Sequence, residues 1–202
     1  MRFAVMASGR GSNFQALIDA HARGELPGAE RVLLIVNKRD AQAVARAKAA
    51  GIPWAFIDSE AMPRAEFDRR ALAVLRDCGA DAVVLAGFMR LLTPEFIAAF
   101  RYCILNIHPA LLPNFPGAHA HRDALAAGVS ESGCSAHLVD EGVDTGPIIL
   151  QQPVEVLPND TEESLAARIL PHEHRLLAEA VRLLAAGRLE VDGGIVRILP
   201  EK

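Results

Sequence analysis

Five short apolar runs, separated by Ala- and Arg-rich stretches, limit what this chain can fold into more than any other feature. The runs cover residues 3–6, 32–36, 54–57, 82–86 and 103–107, and helical patterns cover 13–23, 41–50, 63–78 and 94–100. Strands buried on both faces read as unbroken apolar segments, so this alternation predicts a parallel sheet covered by helices on both sides. Gly24, Gly51 and Gly79 stand where helices should stop, and Pro63 and Pro94 stand near helix starts, where a missing N–H costs little.

The pattern changes after His108. Pro109, Pro113 and Pro116 stiffen a loop that ends at Gly117. A helix of about ten residues is expected next, followed by strands over 135–139 and 148–156. A helical stretch over 162–186 contains Pro171, which is predicted to kink or divide it. A hairpin of 189–191 and 195–199 then turns through Asp192-Gly193-Gly194. No internal repeat, low-complexity run or linker interrupts the chain. The fold class is therefore α/β: a Rossmann-like, mostly parallel sheet with helices on both faces and antiparallel strands added in the C-terminal part. One domain over 1–202 is expected.

Composition narrows the function. With 202 residues, 51% of them hydrophobic, the chain can bury a sizeable core and is too apolar for disorder. It has no run of roughly 18 apolar residues that would span a membrane, and its first residues lack a secretion signal. A net charge of −4 argues against a broad nucleic-acid surface. Cys78, Cys103 and Cys134 are odd in number and set among apolar residues, so they read as reduced core thiols of a cytoplasmic protein. The pairs His119/His121 and His172/His174 lack Cys or Asp at zinc-ligand spacing, and no metal is expected.

Three segments suggest chemistry. The first strand runs into Ser8-Gly9-Arg10-Gly11-Ser12-Asn13, where glycines and free helix-start N–H groups suit an anion. Phe14 replaces the third glycine of the dinucleotide fingerprint, and Asn37-Lys38 stands where an acidic residue would meet a ribose, so one phosphate fits better than NAD. The same residues also suit a tight turn capped by Ser12. The fifth strand ends in Asn106-Ile107-His108-Pro109, which places the amide and imidazole on one face at a carboxyl strand end. An amide N–H beside an imidazole suits a carbonyl carbon becoming tetrahedral, with oxyanion support and a proton donor. The glycine- and proline-bounded loop around Asp140, Glu141 and Asp144 suits a rigid acidic turn, or a carboxylate that reaches His108 and raises its pKa. Gly87-Phe88-Met89-Arg90-Leu91-Leu92 suits either core packing or an apolar wall for a flat ring.

Taken together, these segments resemble the phosphoribosylglycinamide formyltransferase family. The resemblance rests on residues 7–16, 85–92, 104–113, 115–117 and 140–147, in the family's order. It implies transfer of a formyl group from 10-formyltetrahydrofolate, a co-substrate, to the amine of glycinamide ribonucleotide in purine synthesis. No permanently bound cofactor, nucleic acid or membrane is implied, and the protein is expected to be a monomer or homodimer. By resemblance, Asn106, His108 and Asp144 are catalytic, with Asp144 holding the imidazole protonated. Gly11, Ser12 and Asn13 take the phosphate, and Glu173 takes the ribose hydroxyls. Met89, Arg90, Leu91, Leu92, Asn106 and the segment Asp140, Glu141, Gly142, Val143, Asp144 line the folate pocket, with Arg64 and Arg90 facing its glutamate carboxylates. The halves 1–100 and 101–202 are then a phosphate-binding βαβ unit and a folate-binding catalytic unit. Leu170 stands where the family often carries a polar residue, and Pro171 bears on the placement of Glu173.

Related readings are a formyltetrahydrofolate hydrolase and methionyl-tRNA formyltransferase, which add regulatory or RNA-binding domains. The chain's length leads us to expect neither. A phosphate-sensing module without chemistry gives no reason for Asn106, His108 and Asp144 to meet.

Overall fold

The alternation of apolar runs and helical stretches becomes a seven-stranded sheet in the computed structural model, which describes residues 1–60 and 62–201. The chain order is β1 (Arg2–Ala7), α1 (Ser12–Ala22), β2 (Glu30–Val36), α2 (Ala43–Ala49), β3 (Trp54–Phe56), α3 (Arg64–Asp77), β4 (Ala82–Leu85), α4 (Pro94–Ala99) and β5 (Ile104–His108). Then come α5 (Ala120–Ala126), β6 (Glu131–Leu138), β7 (Ile148–Glu155), α6 (Glu162–Ala185), β8 (Leu189–Asp192) and β9 (Ile195–Ile198). The sheet order is β3-β2-β1-β4-β5-β6-β7, with β8 and β9 forming a separate hairpin. Strands β1 to β5 are parallel, β6 runs antiparallel to β5, and β7 runs antiparallel to β6.

Alternate side chains of the strands feed two cores. Phe3, Val5 and Ala7 of β1 pack with Phe14 and Leu17 of α1 and Leu177 of α6, while Ala4 and Met6 pack with Phe67, Leu72 and Phe96 of α3 and α4. Each large side chain buried in this way contributes roughly 2 kcal/mol. Because β1, β4 and β5 lie side by side and point the same way, their three following loops gather at one edge. Open α/β sheets bind ligands at such an edge.

Three expectations change. The helix over Glu162–Ala185 is a single 24-residue element, and Pro171 does not divide it. A proline inside a helix costs about 3 kcal/mol, and here burial of Leu165, Ile169, Leu176 and Leu177 on the opposite face offsets it. Thr161 also anchors the first turn: its Oγ1 accepts the Ser164 N–H at 3.2 Å, and Ser164 Oγ accepts the Thr161 N–H at 2.9 Å. The helix after Gly117 is shorter than expected, with 7 residues. Strand β6 begins at Glu131, earlier than expected, because polar Glu131-Ser132 pairs with Glu155-Val154 of β7 and so joins the sheet without an apolar pattern.

Candidate active site

The loop after β1 is shaped by its neighbours. Gly11 caps α1 with φ 69°, and a Cβ there would lie 2.7 Å from the Cβ of Ala43, so only glycine fits. No side chain caps the helix, and Ser12 is its first residue rather than its cap. Ser8 turns away from the loop mouth: its N–H donates to the Gly87 carbonyl at 3.1 Å, and its hydroxyl accepts the Met89 N–H at 2.8 Å. Ser8 thus joins the loops after β1 and β4. Asn13, on α1, donates through Nδ2 to Glu173 Oε2 at 2.9 Å, so residues 160 positions apart meet. Glu173 is 8% exposed. Burial pushes its carboxyl pKa up, although the Asn13 bond pulls the other way. The Oδ1 of Asn13 is buried with no partner among the described residues.

The second cluster lies where β5 meets β6. Asn106 and His108 share a face, as expected, because the alternating Leu105 and Ile107 enter the opposite core. Across the antiparallel pair, Asn106 faces His137. Asn106 Nδ2 lies 3.0 Å from His137 Nε2 and donates to Asp144 Oδ1 at 3.2 Å. His137 Nδ1 lies 2.8 Å from the Leu138 carbonyl, a contact that needs N–H on Nδ1, and its Nε2 faces both the Asn106 amide and Asp144 Oδ1, the latter at 3.5 Å. His108 Nδ1 is 3.3 Å from Asp144 Oδ2, and its Nε2 is 2.7 Å from the Phe115 carbonyl. The Gly117 N–H completes the set, donating to Asp144 Oδ2 at 2.8 Å. Phe115 and Asp144 both have φ 53°, a left-handed conformation that costs energy for a bulky side chain such as Phe115.

Electrostatics at this cluster departs from expectation at one point. Asp144 does draw the His108 pKa upward, as does the Phe115 carbonyl, but burial outweighs both and the imidazole pKa falls below its ordinary value. His108 is 4% exposed, which explains the sign. Asp144 is also penalised by burial. Even so, the His137 contact, the Gly117 N–H and the nearby imidazoles bring its carboxyl to about 2.

A cavity of about 370 Å³ opens onto this cluster. Its wall includes Arg64, Met89, Arg90, Leu91, Leu92, Asn106, His108, His137 and the whole segment Asp140, Glu141, Gly142, Val143, Asp144, so the proposed catalytic and folate residues come together. Met89 and Leu91 are exposed on this wall, at 64% and 52%, whereas Phe88 and Leu92 are core. Arg64 is exposed at the start of α3. Arg90 is partly committed elsewhere: it donates to the Ser59 carbonyl at 2.5 Å and sits over the Phe67 ring at 5.0 Å. Asp140 braces its own loop, accepting from Thr145 Oγ1 at 2.7 Å and the Gly142 N–H at 3.0 Å. Gly146 is obligatory, since a Cβ would fall 1.9 Å from the Leu138 carbonyl oxygen. Among the described residues, no group of three or more His, Cys, Asp or Glu is placed to hold a metal ion. Cys134 is fully buried, and burial pushes its thiol up to about 12.

His137, Gly117 and the Phe115 carbonyl are functional neighbours that motif spacing does not single out. His137 leaves one trace in the sequence, as an ionisable residue inside the apolar run Cys134–Leu138. Phe115 and Gly117 fall in the 115–117 segment that carries part of the resemblance, but nothing in it assigns a role to their backbone groups.

Comparison with known proteins agrees with this geometry. Residues 1–181 match the family described as formyl transferase. The chain belongs to that family. More particularly, it is 41% identical over 192 residues to the phosphoribosylglycinamide formyltransferase of Escherichia coli, covering 95% of this chain and 90% of that one. It is 45% identical to the protein of that name from Mycobacterium tuberculosis, over 95% of this chain and 88% of that one. The glycinamide ribonucleotide transformylase 1 structure from Symbiobacterium toebii superposes with TM-score 0.96 at 46% identity, covering 99% of this chain and 94% of that one. The chain is also 48% identical to a trifunctional purine biosynthetic protein of Drosophila pseudoobscura, but spans only 14% of that relative's length.

Proposed function

We propose that this protein transfers the formyl group of 10-formyltetrahydrofolate to the amine of glycinamide ribonucleotide, giving formylglycinamide ribonucleotide and tetrahydrofolate in purine synthesis. One observation carries the reading: Asn106, His108 and Asp144 converge on a cavity walled by the 89–92 and 140–144 segments. The pterin ring lies against Met89 and Leu91, with backbone groups of the 140–144 loop at its edge. Arg64 and the free part of Arg90 take the glutamate carboxylates. The phosphate sits at Gly11, Ser12 and Asn13, and the ribose hydroxyls meet Glu173, whose second oxygen has no side-chain bond among the described residues.

The amine attacks the formyl carbon, and its oxygen becomes an oxyanion. An N–H of Asn106, released from His137 or Asp144, turns to that oxygen, and such donors are worth about 100-fold or more in rate. His108, neutral at rest with its N–H on the Phe115 carbonyl, takes at Nδ1, beside Asp144, the proton that the amine loses and gives it up from that atom to N10 as the C–N10 bond breaks. Both ring nitrogens face acceptors, the Phe115 carbonyl and Asp144, so the transient imidazolium is held on both sides. The reactants are small and soluble, and we place the reaction in the cytoplasm.

One similarity favours a second reading. A formyltetrahydrofolate deformylase from Pseudomonas syringae superposes with TM-score 0.92 at 26% identity, and this chain covers 66% of it. A spectroscopic assay of 10-formylfolate deformylation, run with and without glycinamide ribonucleotide, separates the two. Turnover that requires the ribonucleotide is expected; equal turnover without it would assign the hydrolase reaction and overturn the transferase.

A further inference from the structure

We propose that Arg46, on α2, is a positioning residue for the substrate phosphate, acting through the backbone of the glycine loop; this rests on the ribonucleotide reading above. Arg46 Nε donates to the Arg10 carbonyl at 2.9 Å, and its Nη1 donates to Gln15 Oε1 at 3.1 Å. One residue earlier in the loop, the Gly9 carbonyl accepts the Ala43 N–H at 3.2 Å. Two successive loop carbonyls therefore point at α2.

A trans peptide unit is planar, with its C=O and N–H on opposite sides. Fixing the Gly9 and Arg10 carbonyls toward α2 therefore turns the N–H groups of Arg10 and Gly11 away from it, to the side where α1 begins. The opening N–H groups of α1 have no intrahelical acceptor there, and Gln15 is the residue whose N–H closes the first bond, to the Gly11 carbonyl at 2.9 Å. Without Arg46, the Arg10–Gly11 unit is free to rotate and its N–H leaves the anion site.

Charge points the same way. A cleft of about 850 Å³ runs from Ser12 between α1 and α6. Within it, Arg23 pairs with Glu25 at 2.7 Å and Arg182 with Glu179 at 2.7 Å, so those cations are matched. Arg46 bonds only neutral oxygens among the described residues, while Asp19 orients Gln15 by accepting from its Nε2 at 2.8 Å. Among the described residues Arg46 therefore has no carboxylate at ion-pair distance, as is also true of Arg175, which donates to Gln152 Oε1 on the far side of the cleft from the loop. Two acceptors on different elements also need a planar fork, which a lysine ammonium does not supply.

The test compares wild type, Arg46→Met and Arg46→Lys on glycinamide ribonucleotide and on the riboside that lacks the phosphate. For Arg46→Met, the KM for the ribonucleotide should rise about tenfold or more with kcat changed about twofold at most, and Arg46→Lys should recover part of the loss. On the riboside, wild type and variants should be alike. Equal losses on both substrates, or an unchanged KM, would overturn the proposal. Calorimetric titration with inorganic phosphate gives an arm independent of turnover: Arg46→Met should weaken binding by the same factor, and equal binding overturns the proposal even if the transferase reading has failed. If Arg46→Met does not fold, Gln15→Ala removes one of the two bonds and must raise the phosphate Kd by about threefold; no change sinks the idea.

Discussion

Two carboxylates in this molecule, one half-buried and one buried, are driven in opposite directions. Asp144 is held at about 2, whereas burial lifts Glu173 above the ordinary range. Both are short of water. Asp144, however, receives the Asn106 amide and the Gly117 N–H and lies beside two imidazoles, while Glu173 receives the Asn13 amide alone. The number of donors decides which side of the desolvation balance wins. Asp144 is a completed anion that orients other groups. Glu173 is an incomplete one, with acceptor capacity left for hydroxyls of a ligand.

Changes at the two clusters should therefore fail differently. Removing the amide or the ring at the completed cluster, with Asn106→Ala or His108→Ala, should lower kcat about 100-fold or more. If steady-state kinetics moved KM alone, the cluster would have no part in the chemistry. Glu173→Gln keeps the shape but weakens the acceptor, and should raise the ribonucleotide KM about tenfold with little change in kcat. A kcat defect there would erase the contrast. Asp144→Asn removes the upward pull on His108, so the imidazole pKa falls further and the acidic limb of the pH–rate profile moves to lower pH. An unmoved limb would exclude Asp144 from the proton path.

Stability provides the last comparison. With its folded pKa near 2 against an ordinary 3.8, Asp144 contributes about 2 kcal/mol at pH above 3.8, lost as pH falls toward 2. Glu173 has the reverse sign: its contribution is full below its ordinary 4.5 and is lost as pH rises through the elevated folded value. Urea titrations across the acid range should show the Asp144→Asn protein losing the first dependence and the Glu173→Gln protein losing the second. Parallel curves for the two variants would collapse the distinction.

The sequence made the parallel half of the fold legible because strands buried on both faces cannot avoid apolar runs, and β1 to β5 fall within a few residues of those runs. Strand β6 was only partly legible, since Glu131-Ser132-Gly133 enters the sheet through backbone pairing and carries no apolar period. Pro171 misled for a related reason: a local rule about one N–H was outweighed by a buried helix face. At the site, Asn106, His108 and Asp144 were legible as residue types at strand ends and in rigid loops. The sign of the His108 shift was not, because it depends on how deeply the ring is buried. His137 and the Gly117 N–H could not be ranked without the β5–β6 register and the loop's path.

That register has a practical consequence. Asn106 and His137 face each other as a cross-strand pair, so their separation is a lattice constant of the sheet rather than a property of any loop. The loops around them can lengthen, shorten or change composition without altering that spacing. A single residue inserted into β6 before His137, by contrast, would turn the imidazole to the opposite face while leaving the sheet intact. The molecule therefore tolerates drift along its rim and is brittle to indels in one interior strand, which makes β6 the place where a folded but silent enzyme would most readily arise.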